Sequence, residues 1–477
     1  MDTDVKSSAD VNALHYIDGE FSESDSGETF ENENPATGET IGNVPVAGKG
    51  EVDRAVEAAN RSFDEGWGQT DPSERSRILR QIADLIDENL DELAHLESID
   101  TGKPKHLAKQ VDIPRSAHNF RFFADFITGM NTEAYEMIEE NGLNYSLRRP
   151  AGVAGLIVPW NLPLLLMTWK VAPALAASDT IVAKPAEQTP LTATRLAELI
   201  QESDLPEGVF NLLHGFGPDS AGEFISRHPD IDILSFTGEN ETGKKIMAQA
   251  SNSLKKLSFE MGGRNPLLIF EDADMDELID STIKSNFINQ GEVCLSPDRI
   301  YVQKSIYDEF LNRFVSATEE LTVGDPFDED TYVGALISED HLNKVSSYLE
   351  KAREEGAEIH TGGDVPKNLS SRIENGHFLE PTIITDVDPK SPVVCEEIFG
   401  PVAVIVPFED EEEAIREAND TRFGLSATVW TENLSRAHNV AGQLEAGIIW
   451  INTWFLRDLR TPFGGMKDSG IGREGGH

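Results

Sequence analysis

Two doubly wound α/β domains are the fold that this sequence predicts, on three observations. Short apolar runs of strand length alternate with stretches of helical periodicity, the pattern of parallel strands joined by helical crossovers. The alternation occurs twice, first from Gly152 to Phe259 and again from Pro266 to Val406. The chain is 477 residues long with 39% hydrophobic side chains, more than one compact domain uses.

The opening ~30 residues, rich in Ser, Asp and Glu, read as loosely composed. Residues 73–97 place Ile78, Leu79, Ile82, Leu85, Ile86, Leu90, Leu93 and Leu96 at helical spacing and predict one helix. Gly152–Val158 and Thr180–Ala183 read as buried strands on either side of an apolar helix, Leu164–Ala177. Thr189 followed by Pro190 predicts a capped helix start. A strand at Gly208–Leu213, a helix near Ser220–Arg227 and strands at Ile231–Phe236 and Leu254–Phe259 complete the first series. The second contains strands at Pro266–Phe270, Arg299–Val302 and Val402–Val406, with a helix over Met275–Asn289.

Composition excludes several functions. With 85 acidic and 40 basic side chains the net charge is −45, which argues against nucleic-acid binding, since that needs a basic surface. So large an excess opposes compaction unless salt screens it, and it suggests a protein working in molar salt, as in the cytosol of halophiles. Two cysteines, Cys294 and Cys395, are too few for a disulfide scaffold. No run of about 20 apolar residues could span a membrane, and the start lacks a signal-peptide layout. A soluble, cytoplasmic protein is expected.

Motifs were weighed against their ordinary readings. Gly470-Ile-Gly472-Arg-Glu-Gly475 matches the dinucleotide fingerprint as a string, but no helix can follow it, so a glycine-rich turn is expected. Gly238–Lys245 resembles a phosphate loop with Lys245 where Ser or Thr should hold magnesium, and predicts only a strand-to-helix turn near a phosphate. No GxSxG elbow, HExxH or CxxC pair occurs, so no metal site is expected. Cys294, in Asn289-Gln-Gly-Glu-Val-Cys294, lies where a helix gives way to glycine. A thiol with a free pKa of about 8.5 needs dipoles or a base before it can attack, and a lone cysteine is more often inert and buried.

Seven strings in order change that reading. Pro159-Trp-Asn-Leu-Pro163, Lys184-Pro-Ala-Glu187, Phe236-Thr-Gly238, Glu260-Met-Gly-Gly263, Gln290-Gly-Glu-Val-Cys294, Glu396-Glu-Ile-Phe-Gly-Pro401 and Pro462-Phe-Gly-Gly465 resemble the NAD(P)-dependent aldehyde dehydrogenase superfamily over nearly the whole chain. The resemblance implies an aldehyde dehydrogenase-like fold with a small bridging element. Residues 1–127 and 151–259 would form the NAD-binding domain and 260–450 the catalytic domain. Residues 128–150 would form the bridging and oligomerisation element, and 451–477 a C-terminal segment near the substrate tunnel. A homodimer or homotetramer is implied. Relatives usually run past the Gly-Arg-Glu turn into an interface strand, whereas this chain stops at His477.

The resemblance also assigns roles. Cys294 would attack the carbonyl, Asn161 and the Cys294 backbone N–H would hold the oxyanion, and Glu260 would activate the hydrolytic water. Glu474 would relay protons. Lys184 and Glu187 would hold the adenosine ribose, the acid favouring NAD over its 2′-phosphorylated form. Val158, Pro159, Trp160, Phe236, Thr237, Gly238, Gly262, Glu397 and Phe399 would complete the cofactor site. Glu239 stands where many relatives have Ser, and receives no role.

For the substrate, Arg115, Arg457 and Arg460 stand out in a chain short of bases, with Phe463 beside them; guanidinium groups bind carboxylates bidentately. Each could instead pair with an acid such as Asp112 or Asp458. Trp454–Gly465 further resembles the 2-hydroxymuconic and 2-aminomuconic semialdehyde dehydrogenase branch. A semialdehyde bearing a carboxylate is therefore expected, clamped by Arg115 and one of Arg457 or Arg460. Broad or succinic-type aldehyde oxidation is the alternative within the class, and a non-catalytic binding protein the alternative outside it.

Overall fold

The computed structural model describes residues 13–476; residues 1–12, part of the expected loose segment and first domain, and His477 lie outside the described residues. Strands β1 (His15–Ile17) and β2 (Glu20–Ser22) form a hairpin, as do β3 (Thr29–Asn34) with β4 (Glu39–Pro45) and β5 (Ala134–Met137) with β6 (Gly142–Tyr145). The expectation of a loose start is thus corrected from residue 15 onward. His15, Tyr16 and Ile17 are all buried, and Tyr16 pairs with Leu212 of the main sheet, so tertiary contact overrides polar composition.

Five parallel strands follow: β7 (Val153–Ile157), β8 (Thr180–Lys184), β9 (Phe210–Leu212), β10 (Ile233–Thr237) and β11 (Lys256–Glu260). The second series is β12 (Pro266–Ile269), β13 (Arg299–Gln303), β14 (Glu358–Thr361), β15 (Thr382–Thr385), β16 (Val402–Phe408), β17 (Ser426–Trp430) and β18 (Ile448–Ile451). The short β19 (Gly470–Ile471) returns antiparallel to β11 and closes the edge of the first sheet, within the glycine-rich turn read from sequence. The first sheet runs β19-β11-β10-β7-β8-β9-β1-β2 and the second β14-β15-β16-β13-β12-β17-β18.

Both sheets are covered on two faces, which is why their central strands are mostly apolar rather than alternating, while β2, β11 and β14 carry exposed polar residues. Ala154 and Leu156 of β7 pack under the helices Pro72–Glu88, Ile113–Thr128, Pro163–Ala176 and Leu191–Gln201, while Val153 and Ile157 face the helices Lys49–Glu65 and Ala221–Arg227. In the second sheet Leu267 and Ile269 meet Phe287, Phe310 and Phe314, and Leu268 and Phe270 meet Ala414 and Val440 on the other side. The β5–β6 hairpin is the exception, with nearly every strand residue exposed.

Three local expectations are corrected. The helix expected over 73–97 is two, Pro72–Glu88 and Leu90–Thr101, broken at Asn89, whose side-chain amide donates to the Leu85 carbonyl at 2.8 Å and competes with the helical ladder. Thr189 does not cap the next helix. The helix spans Leu191–Gln201, and the Leu191 N–H instead donates to the buried Asp100 carboxylate at 2.8 Å. The helix expected to reach Asn289 ends at Phe287, because Asn289, Gln290 and Gly291 all have positive φ, at 52°, 56° and 74°.

That left-handed run aims the cysteine loop, and its last residue has no room for a side chain. A Cβ on Gly291 would lie 2.3 Å from the Gly400 carbonyl oxygen. Gly291→Ala is therefore expected to cost about 1–3 kcal/mol in strain alone, before the clash with backbone. A lowered Tm together with lost activity is the outcome to look for; unchanged melting would show that the loop relaxes freely.

Candidate active site

In the first sheet the chain moves from β7 outward through β8 and β9, then crosses to the other side of β7 for β10 and β11. Such a switch opens a crevice at the carboxyl ends of the strands. Val158–Asn161 follows β7, Gly238 and Glu239 follow β10, and Glu260 ends β11. Met261–Asn265 then leads into β12, so the amino end of the second sheet faces the carboxyl end of the first. Cys294 reaches the crevice from that second sheet, between the left-handed turn and β13.

Together these segments line a cavity of about 430 Å³ containing Arg115, Pro159, Trp160, Asn161, Gly238, Glu260, Gly262, Cys294, Glu397, Phe399, Arg457, Phe463 and Glu474; Thr237 also borders it. Asn161 is buried and its amide donates to the Glu292 carbonyl at 2.9 Å, leaving one amide hydrogen for another acceptor. The Cys294 carbonyl accepts from the Asn265 amide at 2.8 Å. Burial pushes the Cys294 thiol up to about 12, reinforced by the Glu397 and Glu260 carboxylates and moderated by its own backbone N–H and by Arg457.

Glu260 is 5% exposed and neither carboxylate oxygen has a hydrogen-bond partner. Burial, with the Glu474 charge adding to it, holds its carboxyl well above the usual range. Glu474 is paired: Lys170 donates to it at 2.7 Å and Ser235 at 2.9 Å. Its other oxygen is buried without a partner.

The three arginines separate. Arg457 lies between the faces of Trp169 and Phe463, 4.2 and 4.1 Å from the ring centroids, with Nε and Nη2 buried and unpaired. Burial and the neighbouring Arg115 push it down to about 10. Arg115 borders the same cavity, and Asp112, its suggested partner, is bound to Lys103 instead. Arg460 is corrected: it is exposed, pairs with Asp458 at 2.6 Å, and lies outside the cavity.

Four expected cofactor residues stand outside the cavity wall. Lys184 donates to the Pro185 carbonyl at 2.8 Å and to Glu187 at 3.3 Å, beyond the end of β8, where the Val158 N–H bonds the Lys184 carbonyl at 3.1 Å. Phe236 lies beneath Gly238, its ring 2.6 Å from where a Cβ would stand. A Cβ on Gly262 would meet Glu397 Oε2 at 2.1 Å. Two bare backbone positions beside a helix start, with an acid and a lysine at the next strand end, form a cradle that fits a dinucleotide. Glu397 accepts from the Gly263 N–H at 3.0 Å, and burial pushes its carboxyl up to about 7.

Sequence reasoning missed Trp169, Lys170 and His341. A lysine inside the otherwise apolar Leu164–Ala177 helix was a readable signal, because burial requires a partner. His341 Nε2 donates to the Phe399 carbonyl at 2.7 Å, and its ring meets the Trp160 ring edge-on at 5.3 Å. Nothing near position 341 marks it in the sequence. Among the described residues no cluster suited to a metal ion occurs and no helix is long and apolar enough to cross a membrane.

A half-buried cysteine, an unpartnered buried glutamate and a bare-backbone crevice at a strand switch suit acyl chemistry on a thiol beside a bound dinucleotide. The chain belongs to the aldehyde dehydrogenase family, whose model matches residues 21–477. It is 52% identical over 465 residues to the 2-hydroxymuconic semialdehyde dehydrogenase of Pseudomonas sp. (strain CF600), covering 97% of this chain and 96% of that one. It is 49% identical to the 2-aminomuconic semialdehyde dehydrogenase of Homo sapiens, over 98% of this chain and 96% of that protein. The NAD+ complex of an aldehyde dehydrogenase from Bacillus cereus superposes with a TM-score of 0.95 at 39% identity, over 100% of this chain and 96% of that one.

The raised thiol has a direct chemical consequence in the ligand-free protein. Iodoacetamide at neutral pH is expected to modify the exposed Cys395 well before Cys294, whose rate should climb about tenfold per pH unit below its pKa. Peptide mapping by mass spectrometry reads both sites, and equal rates at neutral pH would contradict the raised value.

Proposed function

We propose that this aldehyde dehydrogenase oxidises a carboxylate-bearing semialdehyde of the 2-hydroxymuconic type to the acid with NAD. The observation that carries the substrate class is Arg457: a guanidinium held flat between two aromatic faces, with unpaired N–H groups inside the cysteine cavity. A buried cation without an anion is costly, and a substrate carboxylate removes that cost. Arg115 adds a second cation on the same wall. The named activities of the two muconic semialdehyde dehydrogenases support the same reading.

Cys294 loses its thiol proton to solvent and attacks the aldehyde carbon, and the resulting oxyanion accepts hydrogen bonds from the free Asn161 amide N–H and the Cys294 backbone N–H. NAD, when bound, supplies the acceptor for the carbonyl hydrogen and its electron pair. The acyl group remains on Cys294 as a thioester. Glu260, once deprotonated, takes a proton from water so that the oxygen attacks the thioester carbon, and the C–S bond breaks as that proton passes to the departing sulfur and restores the thiol. Glu474, tied to Lys170, lies close enough to Glu260 to influence its charge and serves as the next proton station. The carboxylate of Glu187 supports NAD over a 2′-phosphorylated cofactor, because it would repel the phosphate. Lys184 and Glu187 hold the ribose, with Val158, Pro159, Trp160, Phe236, Thr237, Gly238, Gly262, Glu397 and Phe399 completing that site.

The domain division at 1–127 with 151–259, 128–150, 260–450 and 451–477 belongs to the same proposal. The β5–β6 hairpin is its subunit-joining element, supported by Tyr135, Ile138, Leu143, Tyr145 and Leu147, all more than half exposed. Apolar groups so exposed favour a homodimer or homotetramer. The charge of −45 supports work in molar salt within the cytoplasm.

Two measurements test the chemistry. Arg457→Met is expected to lower kcat/KM for a 2-hydroxymuconic-type semialdehyde by about 100-fold, the scale of a lost bidentate ionic contact, while a neutral aldehyde of equal length changes by no more than about threefold. Equal losses for both would remove the clamp and leave a broad aldehyde dehydrogenase.

Turnover should rise with pH as Glu260 passes through its raised pKa, because only the carboxylate can take the proton. Glu260→Gln should abolish that limb and stop after one equivalent of NADH per site. Sustained turnover by the variant would assign the base elsewhere.

A further inference from the structure

Among the described residues two buried lysines, Lys103 and Lys255, take no part in the chemistry above, and only Lys103 touches a loop of the site. Lys103 is fully buried between two acids, with its ammonium 2.8 Å from Asp112 and 3.7 Å from Glu97. Its third contact is the carbonyl oxygen of Asn161, at 3.2 Å. A buried ion group of this kind is a poor source of stability, since desolvation offsets most of the attraction.

The contacts converge on one loop. Lys103 donates to the Asn161 carbonyl at its start, and Glu97 accepts from the Leu164 N–H at 3.4 Å as the following helix begins. Asn289, in the left-handed turn, donates to the same Asn161 carbonyl at 3.2 Å and to the Glu292 carbonyl at 3.2 Å. The Asn161 amide also donates to the Glu292 carbonyl. The loop is therefore fixed to the cysteine segment on one side and to Lys103 on the other.

Lys103 itself is set by its backbone. It follows Gly102, the left-handed cap of the helix Leu90–Thr101, where a Cβ would lie 2.7 Å from the Ala335 carbonyl oxygen. The Lys103 carbonyl accepts from the Ser98 hydroxyl at 2.7 Å. Asp112 closes a π-helical turn, Ala108–Asp112, directly before the helix that carries Arg115. One ammonium thus joins the oxyanion-donor loop to the element bearing the carboxylate-binding arginine.

We propose that Lys103 is a positioning residue for the oxidation, holding the Asn161 loop so that its side-chain amide meets the oxyanion at fixed distance from Arg115. The proposal rests on the reading of Asn161 as an oxyanion donor. Its effect should appear in kcat, because that contact forms only as the oxyanion develops.

A double-mutant cycle on the full-length enzyme tests this, with NADH formation from a 2-hydroxymuconic-type semialdehyde as readout and thermal unfolding as the check on folding. Asn161→Ala alone is expected to lower kcat by about 100-fold. Lys103→Met alone should lower kcat by about tenfold with KM changed less than about twofold, and in the Asn161→Ala background it should cost less than about twofold. If Lys103→Met does not fold, Lys103→Met/Asp112→Asn removes both charges of the pair and enters the same cycle. Equal losses in both backgrounds would overturn the positioning role, as would a wild-type rate for Lys103→Met. A wild-type rate for Asn161→Ala would instead remove the donor reading, and the proposal with it.

Discussion

One buried amide, that of Asn265, ties the cysteine segment to the second sheet. Its Nδ2 donates to the carbonyls of Cys294 and Ser296 at 2.8 and 3.0 Å, and its Oδ1 accepts from the Ser426 N–H at 3.0 Å. The residue is 2% exposed and stands at the turn from the first sheet into the second, directly before β12. The bonds to Ser296 and Ser426 are made away from solvent, where a lost partner costs most. The cysteine segment is thereby registered against the β12 and β17 strands. Position 263 must be bare for this to work, because a Cβ there would lie 2.6 Å from Asn265 Oδ1.

Registration of that kind permits an unusual electrostatic condition. Glu260 is buried and Cys294 and Glu397 half-buried around one cavity, and burial is the first cause that raises each of them. The raised values all oppose the gathering of negative charge around Cys294. Arg115, on the same wall, disfavours the charge of Arg457. Under the proposed substrate reading a carboxylate would relieve that repulsion, whereas a neutral aldehyde would leave it in place. Selectivity would then come from the arginines, and reactivity from ligands that alter the burial and charge around the thiol.

Much of this was legible in the sequence, and the limits have physical causes. Strands β7 to β13 and β16 are short runs bounded by turn residues, so they could be placed within a few residues, whereas β14, β15, β17 and β18 and the edge strands β1, β2 and β19 were not read. The seven strings around Asn161, Glu260 and Cys294 were readable because bare glycines and particular donors leave few substitutes. The choice between Arg457 and Arg460 was not: they are three residues apart in a segment without regular periodicity, and only the packing of Arg457 between Trp169 and Phe463 separates them. Asn89 and Thr189 misled for a related reason. Distant or local side chains supplied the bonds that propensity assigns to the helix backbone, as Asp100 does for Leu191.

The strained positions also follow from how the loops abut. Asn289, Gln290 and Phe399 all hold positive φ, at 52°, 56° and 62°, and none is glycine. Such conformations persist only where the surroundings over-determine them. Here the left-handed turn presses Gly291 against Gly400, and His341 binds the Phe399 carbonyl while its ring meets Trp160. The cysteine loop and the Glu397–Phe399 segment are thus packed back to back, and neither can relax without displacing the other. The Cys294 loop and the Glu397–Phe399 segment form one mechanical unit, in which the strain at Asn289, Gln290 and Phe399 is held by mutual packing.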